Sequence, residues 1–283
     1  MNPDTDKWIG HTLEADDIIS TERAFALWAS LDDGSAAPED GAPLPPLWHW
    51  LYFWVIGRRS ELGRDGHAAL GGFLPALGEV RRMWAGSRVT FHRPLSMGER
   101  AHRRITITDL TPKVGRSGAL TFVTLRHEIS GTDGLAITED QDLVYREMPK
   151  SGAGASAPRG EPAPESGDRV ETWTGDPVLL FRYSALTFNG HRIHYDAPYS
   201  AACEGYPGLV VHGPLVASLM ASTAMRHRQG EAPATFSFRA QSPIFADQPF
   251  TIHVADHGAS SDVWVRNAQG NYAFRGEVGW QGR

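Results

Sequence analysis

Hydrophobic and polar positions alternate along two stretches of the chain that resemble one another. Residues 88–99 (RVTFHRPLSMGE) and 236–249 (FSFRAQSPIFADQP) each give a short alternating strand, a basic residue, a proline beside an apolar residue, and a turn. Strand-like runs follow in both places, at 104–110, 120–129 and 135–145, and again at 250–255, 262–267 and 272–280. Gly-Thr-Asp-Gly at 131–134 and Asn-Ala-Gln-Gly at 267–270 are turn signals between them. Helical patterning comes before the strands. Residues 24–31 are apolar at helical spacing, with Ser20 or Thr21 as N-cap. Residues 213–226 (GPLVASLMASTAMR) carry Pro214 in the first turn and are apolar nearly all round, which predicts a buried helix. The pattern predicts an α+β protein built from a repeated unit, an antiparallel sheet wrapped around a central helix.

Residues 151–168 (SGAGASAPRGEPAPESGD) interrupt the pattern. They are almost free of large apolar side chains and read as a linker. The expected units are therefore 1–150 and 169–283, each long enough to bury its own core. A hydrophobic fraction of 41% and a charged fraction of 21% are ordinary for a globular chain. The formal net charge of -6 gives no footprint for nucleic acid. Cys203 stands alone, which rules out a disulfide within the chain and a thiolate metal cluster. The most apolar run, residues 47–56, is too short to cross a bilayer, and the first residues lack the pattern of a secretory leader. A cytoplasmic protein without nucleic-acid or membrane partners is expected.

Candidate chemistry gathers in residues 181–215. Asn189, His191, Arg192, His194, Tyr195 and Asp196 fall within eight positions, just before the predicted buried helix. His194 is a base near neutral pH, and Asn189 can orient a water. Gly213 opens the helix, where free backbone N–H groups favour developing negative charge. Addition of water to an alkene beside a thioester needs these parts. His191, His194 and Asp196 also have a spacing open to zinc or iron, although no further ligand cluster accompanies them.

The segment resembles the MaoC-like (R)-specific hydratase and dehydratase family, through Tyr183, Leu186, Thr187, Ile193, His194, Ser200 and His212-Gly213. It departs from that pattern at Phe188, where the family has Gly, at Asn189, where it has the catalytic Asp, and at His191-Arg192, where it has Asn-Pro. Residues 48–53, 81–86, 91–95 and 141–146 extend the likeness to a branch with a dehydratase-like first half. That branch includes mesaconyl-C4-CoA and itaconyl-CoA hydratases and mitochondrial-type hydroxyacyl-thioester dehydratases. The resemblance implies a double hotdog with one metal-free, cofactor-free site in the second half, a non-catalytic first half lining the acyl pocket, and a homodimer. His194, Asn189 and Gly213 are the implied catalytic groups. The expected contacts to an acyl-CoA substrate are Arg182, Tyr183, His191, Arg192 and Arg239. The implied activity is reversible hydration of 3-methylfumaryl-CoA or itaconyl-CoA to citramalyl-CoA. Dehydration of a 3-hydroxyacyl thioester and non-catalytic acyl binding are the alternatives.

Overall fold

The alternating runs become strands of one antiparallel sheet. The structure is a computed structural model that describes residues 7–78, 80–115, 118–147 and 160–281. The first half contributes β1 (Thr12–Ile18), β2 (Val80–Phe91), β3 (Arg100–Gly115), β4 (Gly118–Gly131) and β5 (Gly134–Glu147). The second contributes β6 (Arg169–Thr174), β7 (Pro233–Ala240), β8 (Pro249–Asp256), β9 (Ser260–Arg266) and β10 (Tyr272–Trp280). Both turn signals lie where expected, between β4 and β5 and between β9 and β10. The strand order is β1-β3-β4-β5-β2-β7-β10-β9-β8-β6. Read outward from the middle, the two halves have the same topology, as a duplicated unit requires. They are the two sheets of a double hotdog, joined edge to edge.

The join is the β2–β7 pair, in register from Gly86 opposite Arg239 to Thr90 opposite Thr235. The backbones come so close that a Cβ on Gly86 would lie 2.2 Å from the Phe238 carbonyl oxygen. A strand glycine here marks close backbone approach. Gly86→Ala should therefore cost about 1–3 kcal/mol, as overpacking does, and lower the urea midpoint. An unchanged midpoint would show that the seam relaxes freely.

In the second half the sheet wraps α4 (Gly213–His227), which buries Leu215, Val216, Leu219, Met220 and Ala224. Pro214 sits in its first turn, and Arg226 and His227 close its last, where cations suit the helix dipole. Arg226 also reaches Asp33 of the first half at 2.8 Å and Glu171 of the second. The expected first helix forms as α1 (Thr21–Leu31), with Ser20 as N-cap residue but without a side-chain cap bond. It packs on α2 (Pro177–Leu186) of the other half. No counterpart of α4 fills the first half among the described residues. Residues 48–78 hold only two 3-10 turns, Trp48–Leu51 and Arg59–Glu61. Six glycines and Pro75 between 57 and 78 account for this, since both residue types disfavour helix. In the predicted linker, residues 151–159 lie outside the described residues. Residues 160–168 lie against the second half: Pro162 bridges Asn271, and the Trp264 indole donates to the Pro164 carbonyl at 3.1 Å. No helix among the described residues is long and apolar enough to cross a membrane.

Candidate active site

The site is assembled where α2 gives way to a loop. After the helix, Phe188 adopts a left-handed backbone with φ 50°. The family's glycine suits that conformation without strain. Here the Phe188 ring stacks on Trp54, with centroids 5.1 Å apart. Asn189 then turns the chain, its Oδ1 accepting from the His191 amide at 3.0 Å. A 3-10 turn, Arg192–His194, follows, and Asp196 caps α3 (Ala197–Glu204) by accepting from the Tyr199 amide at 3.0 Å. The same Asp196 carboxylate holds Arg192 at 2.6 Å. Asp196 is committed to the loop, and no set of His191, His194 and Asp196 converges on a metal position.

His194 is buried, and its Nδ1 lies 2.7 Å from the Val210 carbonyl oxygen. A carbonyl can only accept, so Nδ1 carries the proton and Nε2 keeps its lone pair. Burial, with His212 and His191 nearby, holds the imidazole well below its ordinary pKa. The ring stacks on His212, centroids 3.7 Å apart. His212 is the N-cap residue of α4, fully buried, with Nε2 2.8 Å from the Ser184 hydroxyl, and burial pushes it down to about 3. Stacking on the cap residue holds His194 against the start of α4, where Gly213 begins the helix. The first N–H groups of a helix have no partner within it.

The loop 57–78 of the first half closes onto this segment. Gly66 and Gly190 meet back to back: a Cβ on Gly66 would lie 2.0 Å from the Gly190 oxygen. The Arg192 amide donates to the Asp65 carbonyl at 2.9 Å. This brings the His67 ring 4.3 Å from His191, and Asp65 pairs with His67 Nδ1 at 2.9 Å. His191 also faces Glu204 at 3.5 Å, and Glu204 pairs with Arg81 of β2 at 2.8 Å. Polar atoms of Asp65, His67 and His191 lie within 4.8 Å of one another, close enough to share a cation. Asp65 is already hydrogen-bonded to His67.

Between the halves lies a cavity of about 2170 Å³. That is larger than an ordinary small-molecule pocket and leaves room for an acyl thioester with its pantetheine arm. His194, Asn189, Gly213 and His191 all line it, so the three predicted catalytic residues share one wall. The other expected substrate contacts lie outside the lining. Arg182 is exposed on α2, beside the exposed Phe181, and is absent from the cavity lining. Strand alternation turns Arg239 outward beside the inward Phe238. Arg192 is taken by Asp196 and lies 4.1 Å over the Tyr199 ring. Tyr183 is buried behind His212, its ring centroid 4.9 Å away. The basic lining comes instead from the first half, including Arg81, Arg82 and Arg103. So does a buried polar cluster around Glu139. Burial alone would raise this carboxyl, but the His49 bond, the nearby His127 and the Ser87 bond hold it down to about 2; Trp50 also donates to it at 3.0 Å. The sequence gives no signal for His67, Asp65 or this cluster, because loop closure and strand pairing bring them in from far along the chain.

Adding water to an enoyl thioester asks for a neutral base beside donors that can hold an enolate oxygen. His194 and Gly213, at the start of α4, both line the cavity between the halves. The chain is a hydro-lyase of acyl thioesters. The profile of the hydroxyacyl-thioester dehydratase type 2 family matches residues 47–246, and the chain belongs to that family. It is 46% identical over 272 residues to the mesaconyl-C4-CoA hydratase of Chloroflexus aurantiacus, covering 96% of each chain. It is 29% identical over 254 residues to the mitochondrial hydroxyacyl-thioester dehydratase type 2 of Schizosaccharomyces pombe, covering 78% of this chain and 80% of that one. A MaoC-like dehydratase structure from Phytophthora capsici matches with TM-score 0.71 over 98% of both chains at 15% identity, a likeness of fold.

Proposed function

We propose that this enzyme reversibly hydrates a branched unsaturated dicarboxylic acyl-CoA, 3-methylfumaryl-CoA or itaconyl-CoA, to citramalyl-CoA. The observation that carries the reading is the 46% identity to a mesaconyl-C4-CoA hydratase across 96% of both chains. With 3-methylfumaryl-CoA, His194 Nε2 takes a proton from water as the oxygen bonds to the carbon bearing the methyl and carboxylate groups. The alkene electrons move to the thioester, whose oxygen the Gly213 N–H receives. The protonated His194 then returns its proton to the carbon beside the thioester. Asn189 positions the water, since an amide cannot act as the base. The neutral state of His194 supports a single base that takes and returns one proton. A homodimer belongs to the same proposal: exposed Val178 and Phe181 on α2 and Phe25 on α1 are apolar surface that a second copy would cover.

The test follows loss of the enoyl-thioester absorbance with 3-methylfumaryl-CoA and crotonyl-CoA, and formation of citramalyl-CoA by chromatography with itaconyl-CoA, whose alkene is not conjugated with the thioester. Turnover of 3-methylfumaryl-CoA or itaconyl-CoA should exceed that of crotonyl-CoA. Activity on crotonyl-CoA with none on either branched substrate would sink the proposal and favour a dehydratase of unbranched 3-hydroxyacyl thioesters, the reading supported by the fission-yeast relative.

A further inference from the structure

The chamber's arginines are not equivalent. Arg81 is ion-paired with Glu204 at 2.8 Å. Arg103 donates to the Phe53 carbonyl at 2.7 Å. Arg82 lines the same cavity from β2, yet no carboxylate among the described residues lies in ion-pair range of it. Tyr145 is its direct partner across β2 and β5. The Tyr145 side chain is 1% exposed, and its hydroxyl lies against Arg82 without meeting hydrogen-bond geometry. A buried hydroxyl left unsatisfied is costly. Arg82 also faces His67, which burial and then the Arg82 charge push down to about 3. The nearby Asp65 is committed to the His67 ring and amide. This corner thus holds a guanidinium, a buried hydroxyl and two imidazoles, and its one carboxylate, Asp65, is bound to His67 and not to Arg82.

We propose that Arg82, backed by the buried Tyr145 hydroxyl on the neighbouring strand, is the seat for the free carboxylate of the acyl group. The assignment rests on the dicarboxylic reading above and names the residues that would select for it. Arg82, His67, His191 and His194 line the same cavity, with His67 and His191 ring centroids 4.3 Å apart and His191 and His194 5.4 Å apart. A carboxylate on the acyl group would meet a cation there, while an unbranched fatty acyl chain would place methylenes against it. The planar guanidinium matches a carboxylate in two parallel bonds, which a lysine cannot reproduce.

The experiment uses ligands that do not react. Succinyl-CoA carries the terminal carboxylate, and butyryl-CoA has the same four carbons without it. The whole enzyme should bind succinyl-CoA more tightly by calorimetry. Arg82→Met should weaken succinyl-CoA roughly 10–100-fold, as loss of a charged hydrogen-bond partner does, and leave butyryl-CoA within about threefold. Tyr145→Phe should shift the same ligand in the same direction by less. If the methionine variant does not fold, Arg82→Gln replaces it. Equal losses on both ligands would place Arg82 at the coenzyme A phosphates, and no loss on either would show that it binds no anion; both overturn the seat. Equal binding of the two ligands by the unaltered enzyme overturns it as well. Turnover of 3-methylfumaryl-CoA by the unaltered enzyme is measured separately, so failure of the functional reading is seen on its own.

Discussion

His194→Gln should lower kcat for hydration by about 10²–10⁴-fold, the range for removal of a positioned acid–base group, while the melting temperature changes little. The two outcomes separate because His194 does two things. Its Nδ1–H satisfies the Val210 carbonyl, which a glutamine amide can also do. In the proposed mechanism its Nε2 lone pair carries the proton, which an amide cannot do. The affinity for an unreactive thioester such as butyryl-CoA should stay near that of the unaltered enzyme. His194→Ala is a harsher change. It removes the acceptor's partner and empties space against His212, so some loss of stability accompanies the loss of turnover. Turnover by His194→Gln within tenfold of the unaltered enzyme would mean that another group takes the proton from water.

The second large effect is on stability in acid. Burial pushes His127 down to about 4 and His212 to about 3, and holds His194 well below its ordinary value. Unfolded, each would titrate near 6.5. Below that pH the unfolded chain binds protons that the folded chain refuses, so stability present above 6.5 is lost as pH falls. Each imidazole contributes about 1.4 kcal/mol per pH unit once well below 6.5, and three acting together make the slope steep. The Glu139 carboxyl, held down to about 2, adds its own loss only below about 4.5. Urea midpoints between pH 7.5 and 5 isolate the imidazoles and should fall throughout that interval. A flat midpoint would show that the folded enzyme accepts these protons. Because folded His194 stays neutral, activity in acid should fail through unfolding and not through titration of the base.

The second half was largely legible in the sequence. Residues 213–226 are apolar on every side, and α4 spans them with one residue more. The catalytic loop was legible because its residues are contiguous, and spacing alone puts Asn189 five positions before His194. The edge strands β1 and β6 escaped notice. Each is a short alternating run with one exposed face, and one of them falls beside the linker. The helix α3 is small and mixed in character, and its Asp196 cap reads equally well as a reactive carboxylate. The substrate contacts were misplaced for a physical reason. They lie in or beside the segments that carry the family likeness, but Arg182 and Arg239 are exposed on their elements and Arg192 is tied by Asp196. Arg82 lies in residues 81–86, a stretch that carries the family likeness, but only the fold brings it to the cavity. His67 had no local signal at all.

One consequence follows from the missing counterpart of α4. Among the described residues of two units with the same topology, only the second has an axial helix. The first half keeps an apolar cluster of its own around Ile107 and Val123 and forms a vestibule to the cavity with its glycine-rich loop and β2. In the proposed reading, chemistry and selection thereby fall on separate stretches of chain: proton transfer on residues 189–213, and the fit of the acyl group on the glycine-rich loop and β2. Substitutions in the vestibule can change which thioester is accepted while the reacting groups stay as they are. An enzyme arranged this way can acquire new substrates without relearning its reaction.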